Sequence, residues 1–405
     1  MTETDGAPIP GRVQAPVYAL AFCYGNVMPM AAVVVPLWAL ELTASPLSIG
    51  LVVASRQFLV VTLSIYGGAL LDRAAPKRVI LALAAVAAAG FALFPALPFV
   101  WAAVLLQMVS GFAETTNWIG AQALFGRVLK GRPVYAGRLT AAARIGGFFG
   151  PLLVGFAWQY AGPTGAFLCL AAWVMAGAVA ALFLPSVAPA GTPAHAPPRR
   201  AQAMPRVSDY ASAFRMLALP AVALVILATL IRQTGTGIQS SFYGIWLTEI
   251  GFEAGTIGLL VGISSLAAAF AALALGRLTR LVADRWLLIG AVLAAIVAIA
   301  ITPLLDTLAL LVVAIAVRGA GQGLNLSLMM TIAARAVGAD LQGRVAALRV
   351  TFNRLGGVLV PLAMGAVAEL AGLENAFYAI GAAGVIAVAA LAVWIARSPD
   401  LARSG

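Results

Sequence analysis

The sequence predicts an all-α integral membrane protein, with twelve transmembrane helices arranged as two pseudo-symmetric six-helix bundles. Three observations carry that reading. Long apolar runs recur along the chain, the segments between them alternate between arginine-rich and arginine-free, and the two halves share an internal repeat.

The apolar runs come first. Hydrophobic residues make up 62% of the 405 residues and charged residues only 10%, against about 25% charged in a typical soluble domain. A soluble fold this poor in charge could not cover its surface. Runs long enough to cross roughly 30 Å of hydrocarbon recur from Pro16 to Ala396. They must be helices, because lipid offers no partner to an open backbone amide. The alternating pattern of an outer-membrane barrel is absent. The expected spans are 16–41, 47–70, 79–97, 99–126, 139–161, 164–186, 214–245, 254–276, 286–304, 307–336, 343–369 and 374–396.

The connections set the orientation. One set holds the basic residues: Arg73, Lys77 and Arg78; Arg127, Lys130, Arg132 and Arg138; Arg199, Arg200 and Arg206; Arg277, Arg280 and Arg285; Arg335 and Arg344. The other set, near Glu41, Pro95, Gly162, Glu249, Asp306 and Glu374, contains no Lys or Arg. By the positive-inside rule both termini and the basic loops are cytoplasmic, and the expected location is the plasma membrane, in bacteria the inner membrane. The net charge of +11 is therefore topological, and nucleic acid is not an expected partner. The first apolar run is too long for a signal-peptide core, so the first span is expected to remain in the mature protein.

The repeat divides the chain. The stretch beginning at Arg144 (RIGGFFGPLLVGFAWQYAGPTGAF) aligns without a gap with that beginning at Arg354 (RLGGVLVPLAMGAVAELAGLENAF). Ile49-Gly50-Leu51 likewise returns as Ile257-Gly258-Leu259. Two halves with the same orientation imply a pseudo-two-fold axis along the membrane normal. The expected units are residues 1–186, a Pro- and Arg-rich cytosolic linker over 187–213, and residues 214–405. The single histidine, His195, falls in the linker, and Cys23 and Cys169 fall inside spans as small core residues.

Two stretches give the chain a family resemblance. After the second span runs Gly68-Ala69-Leu70-Leu71-Asp72-Arg73, followed by Lys77 and Arg78. In the fifth span stand Gly137, Gly146, Gly150, Pro151 and Gly155. The chain resembles the major facilitator superfamily over essentially its whole length. The first stretch resembles the family's loop signature, with Ala75 and Pro76 replacing its usual glycine and basic residue. The second resembles its fifth-helix antiporter motif, typical of drug exporters, with Val154 replacing one glycine. The resemblance implies that Gly68, Asp72 and Arg73 brace the cytoplasmic gate. It also implies that Gly146, Gly150, Pro151 and Gly155 serve conformational change, although glycines at this spacing also simply let helices pack closely. The family's proton-linked arginine of the fourth helix is replaced by Gln107, four residues before Gly111.

Ionisable side chains at membrane depth are functional candidates, and the spans hold Arg56, Glu114, Arg144, Arg232, Arg318 and Arg354. The resemblance implies that the first, fourth, seventh and tenth helices line a central cavity. On the fourth, Gln107, Glu114 and Trp118 share a face; on the seventh, Arg232, Gln239 and Tyr243; on the tenth, Arg318, Gln322 and Asn325. Asn26 is the candidate on the first helix and Arg56 on the second. These stripes serve either substrate binding or interhelical hydrogen bonding. Glu114 is the proton-coupling candidate, because burial favours the protonated form of a carboxyl group, with a static salt bridge to Arg144 as the alternative. Arg144 and Arg354 divide between gate structure and substrate contact.

The resulting expectation is a proton-coupled exporter of a small organic solute working by alternating access, with an anionic solute favoured by the excess of arginine. A cationic or neutral lipophilic solute, stacked on Trp118 and Tyr243, is the alternative that the fifth-helix motif suggests. An uptake symporter, an anion exchanger and a non-transporting receptor on the same fold are the alternatives. No catalytic set, metal-ligand cluster or nucleotide loop is apparent, so neither an enzyme nor a cofactor is expected. The expected partners are the small-molecule substrate, protons and the lipid bilayer, with the chain acting as a monomer.

Overall fold

The computed structural model describes residues 9–43, 45–63, 76–129, 133–184, 215–336 and 339–398. Among them the chain is helical throughout, with two short 3-10 turns at Met216–Ala218 and Thr302–Leu304. The helices are α1 Gly11–Tyr24, α2 Val27–Leu42, α3 Pro46–Ser55, α4 Pro76–Leu93, α5 Val100–Val128, α6 Pro133–Leu182, α7 Pro220–Ser241, α8 Tyr243–Glu249, α9 Ala254–Leu278, α10 Asp284–Ala300, α11 Leu308–Ala336, α12 Ala339–Ala371 and α13 Leu373–Arg397.

Eight helical stretches among the described residues are long and apolar enough to cross a membrane, and one of them, Val134–Leu182, is long enough for two. With α4, α5 and α10 they make the twelve spans of the expected fold. Large apolar side chains such as Leu105, Phe270, Leu273 and Leu370 point outward, whereas Gln107, Glu114, Asn117, Thr229 and Arg318 are buried. That inside-out distribution suits lipid as solvent.

The spans are less regular than the sequence suggested. The first breaks at Gly25–Asn26, between α1 and α2. Pro29 lacks the amide that would bond the Gly25 carbonyl, and its ring crowds that carbonyl. The seventh breaks at Phe242, between α7 and α8. Here the Ser240 and Ser241 hydroxyls bond back to the Gly237 carbonyl at 3.2 and 2.6 Å, a local competition that bends helices. The second span has a turn at Arg56–Gln57 and is helical again over 58–63. The fifth and sixth spans form one continuous run, α6, turned at Gly162. Gly162 (φ 66) and its repeat partner Gly372 (φ 87) both adopt left-handed backbone, which side chains with a Cβ resist.

The halves meet along two helix pairs, α3 with α12 and α6 with α9, and the two contacts are copies of each other. A Cβ on Gly50 would lie 3.3 Å from Gly365 Cα, and a Cβ on Gly258 would lie 3.3 Å from Gly155 Cα. Gly50 faces the Pro361 carbonyl oxygen, and Gly258 faces that of Pro151. These six positions form three pairs in the internal repeat: Gly50 with Gly258, Pro151 with Pro361 and Gly155 with Gly365. At the arginine-free end the same pairs carry polar contacts. Glu369 Oε2 accepts from Ser45 Oγ at 2.9 Å and Leu47 N at 3.2 Å. Glu253 accepts from Gln159 Nε2. Ser45 corresponds to Glu253 and Gln159 to Glu369, so the carboxylate has changed sides while the contact is kept.

Candidate functional site

The two halves enclose a cavity of two adjoining lobes, about 160 and 170 Å³. The first lobe lies against α3 and α12 and contains Arg56, Gln57, Gln107, Arg232, Asn353 and Arg354. The second lies against α6 and α9 and contains Arg144, Gln239, Ser264, Ser265 and Arg318. Met28, Ala32, Thr236, Ser240 and Gln322 line both and form the neck between them.

Each arginine is held differently. Arg56 Nη2 donates to Glu114 Oε2, with both side chains buried. Helix α5 approaches closely here because Gly111 places no side chain against the Arg56 carbonyl. Glu114 itself does not line the cavity and stands behind Arg56. Its partner is thus Arg56 and not Arg144, which lines the opposite lobe. Arg354 Nη1 donates to Gln57 Oε1 at 3.0 Å across the boundary between the halves. Arg232 donates to Asn353 Oδ1, to Gln233 Oε1 at 2.9 Å and to Thr236 Oγ1 at 3.4 Å. Arg318 Nη1 donates to Ser264 Oγ at 3.0 Å. Among the described residues Arg56–Glu114 is the one ion pair of the cavity walls; the partners of Arg232, Arg318 and Arg354 are neutral oxygens.

The repeat explains the imbalance. Gly111 meets the Arg56 carbonyl as Gly319 meets the Ser264 carbonyl. That correspondence aligns Arg56 with Ser264 and Glu114 with Gln322. The first half therefore carries a cation with its own carboxylate. The second carries Arg318 on a serine, with an amide where the carboxylate would be. A buried ion without a counter-ion costs several kcal/mol, and arginine cannot shed its charge.

Six of the ten expected substrate residues line the cavity: Arg56, Gln107, Arg232, Gln239, Arg318 and Gln322. Four do not. Asn26 donates through Nδ2 to the Phe22 carbonyl at 2.7 Å and packs under Gly146 and Gly147. Trp118 packs at the break near Gly25. Tyr243 and Asn325 are buried and line neither lobe. The breaks in the first and seventh spans rotate the registers of Asn26 and Tyr243, whereas Trp118 and Asn325 belong to the unbroken α5 and α11 and pack within the walls. Arg144 and Arg354, divided between gate and substrate, line one lobe each. Gly150 packs on Met30, and Pro151 and Gly155 build the α6–α9 contact. Gly68, Asp72 and Arg73 lie outside the described residues.

Gln57, Ser264, Ser265 and Asn353 were missed. Each is a neutral polar residue inside a span, and Gln57 and Asn353 adjoin Arg56 and Arg354 in sequence, a signal that ionisable residues alone do not capture.

The family model described as Major Facilitator Superfamily matches residues 17–231 and 225–404. Among solved structures, a point variant of the nucleoside transporter NupG is similar with a TM-score of 0.76 at 15% identity, covering 94% of this chain and 99% of that one. NupG without that substitution gives 0.74 at 14%, covering 94% and 98%. A bacterial homologue of the human lysosomal transporter Spinster, inward-facing and unoccupied, gives 0.69 at 16%, covering 96% of each chain. At these identities the likeness is one of fold. No curated protein sequence matches this chain. With the family model matched across nearly its whole length and the fold shared with solved transporters, the chain belongs to the major facilitator superfamily of membrane transporters.

Proposed function

We propose that this protein is a secondary transporter of a small organic anion, with Arg232 and Arg318 as its principal ligands and Glu114 as its proton-linked carboxylate. Arg318 carries the reading: it faces the cavity bonded to the neutral Ser264 hydroxyl, with the neutral Gln322 at the position that Glu114 holds in the first half, so an anion from solution supplies the negative charge that this lobe lacks. The two six-span halves, 1–186 and 214–405, rock about this site, joined by the linker over 187–213. Both termini and the basic loops face the cytoplasm of the bacterial inner membrane, and a single chain suffices.

Arg56 links the proton to the solute. It lines the cavity and holds Glu114 behind it, so an anion drawing on Arg56 loosens its hold on Glu114. Anion binding and protonation of Glu114 then favour each other, and by reciprocity a proton favours the anion. That supports symport, and hence uptake when the proton gradient points inward. Export is the competing direction, suggested by the fifth-helix glycine–proline stretch. In the fold that stretch packs α6 on α9, and its counterpart with Pro361 and Gly365 packs α12 on α3 in the same way, so packing alone accounts for it.

Inside-out vesicles with an imposed pH gradient, screened with matched anionic, neutral and cationic solutes, test the reading. Proton-driven movement of anions is expected, with symport and antiport distinguished by the gradient that drives it. Transport confined to cations or neutral solutes would refute it.

A further inference from the structure

We infer that the transported solute carries two anionic groups, one for each lobe of the cavity. The inference rests on the reading of the solute as an anion and narrows it to a class.

The lobes are images of each other under the repeat. Arg354 of the first corresponds to Arg144 of the second, Arg56 to Ser264 and Gln57 to Ser265, and all six line their respective lobes. The cavity is thus built twice by the same positions on the same helices. Glu114 neutralises Arg56 in the first lobe, leaving Arg232 and Arg354. The second lobe holds Arg144 and Arg318. Each lobe therefore presents two guanidinium groups that no carboxylate among the described residues satisfies.

Guanidinium groups match carboxylate and phosphate oxygens two bonds at a time. A solute with one such group satisfies one lobe and leaves two cations in the other, half-buried or, for Arg318, buried, without an anion, which is unfavourable. A solute with two groups satisfies both. The neck favours a short, mixed connector between them: Thr236, Ser240 and Gln322 offer hydrogen bonds, and Met28 and Ala32 offer apolar surface. Each lobe also draws arginines from both halves, Arg56 with Arg232 and Arg354, and Arg144 with Arg318. A two-headed anion therefore ties the halves together at both lobes, which supplies a difference between states that a ligand needs to shift them.

The test is calorimetric binding of α,ω-dicarboxylates of increasing length to the purified full chain, each beside the monocarboxylate of equal length. One length is expected to bind one-to-one and roughly 10²-fold more tightly than its monocarboxylate, the scale of gain from linking two sites. Arg144→Gln and Arg354→Gln should each collapse that ratio towards one, while Arg144→Lys, which keeps the charge, should retain part of it and so exclude misfolding as the cause. Equal binding of mono- and dicarboxylates at every length, or two monocarboxylates bound at once with no dicarboxylate advantage, would overturn the two-headed solute and leave the anion reading standing. Binding of matched amines with none of any carboxylate would overturn the anion reading itself.

Discussion

Arg56, in the turn that follows α3, donates through Nη2 to Glu114 on α5, and only the arginine of this pair reaches the cavity. The carboxylate is thereby shielded from solute yet coupled to it through one guanidinium. In Glu114→Gln the neutral amide removes the titrating group, and pH-driven accumulation should be lost while solute exchange at equal pH persists. Undiminished uphill transport in that variant would exclude Glu114 from coupling.

The same pair makes a stability prediction. Removing one partner strands a buried charge, which typically costs about 3–5 kcal/mol, whereas removing both can be nearly neutral. Thermal unfolding in detergent should place Arg56→Gln and Glu114→Gln well below wild type, with the double variant closer to it than either. Additive losses would mean that the two residues do not interact.

The helical spans, their number and the repeat were legible in the sequence because hydropathy and glycine spacing report directly on lipid exposure and close packing. The arginines of the cavity were legible too, since any charge at that depth is conspicuous. What escaped was rotation. The breaks at Gly25–Asn26 and Phe242 alter which residues of the first and seventh spans face inward, so Asn26 and Tyr243 line neither lobe. Trp118, packed against Gly25, and Asn325, fully buried, line neither lobe although α5 and α11 are unbroken. The pairing of Glu114 with Arg56 instead of Arg144 also escaped, because spacing along one helix says nothing about which neighbouring helix supplies the partner.

The paired glycine contacts predict a conformational phenotype. A leucine in Gly258→Leu would meet the Pro151 carbonyl, and one in Gly50→Leu would meet that of Pro361. Each should force the α6–α9 or α3–α12 contact apart at the arginine-free end and abolish transport without abolishing membrane insertion. Cysteine labelling at cavity positions from that side should rise. Transport at the wild-type rate in either variant would contradict the role assigned to these contacts.

Glu369 and Glu253 latch the same end. Exposed contacts of this kind contribute about 0–1 kcal/mol each, so each single change to alanine should shift the open fraction by a few-fold at most. Glu369→Ala combined with Glu253→Ala should exceed either alone in distance measurements between labels on α3 and α12. No shift in the double variant would show that the latches are incidental.

The topology is open to a simple check. A reporter fused after Gly405 or inserted beside His195 should read as cytosolic, and one beside Glu253 as external. An external signal at either of the first two sites would overturn the assignment of sides.

The most direct measurement of the central claim is transport of matched anionic and cationic solutes by wild type, Arg232→Gln and Arg318→Gln in proteoliposomes. Losing one charge-assisted contact removes about 1.5–3 kcal/mol, so each variant should carry the anion at least about tenfold less efficiently, with Arg318→Gln the more impaired because among the described residues its hydrogen-bond partner is the Ser264 hydroxyl alone. If cations are carried and both variants lose nothing, the anion-transporter account is wrong.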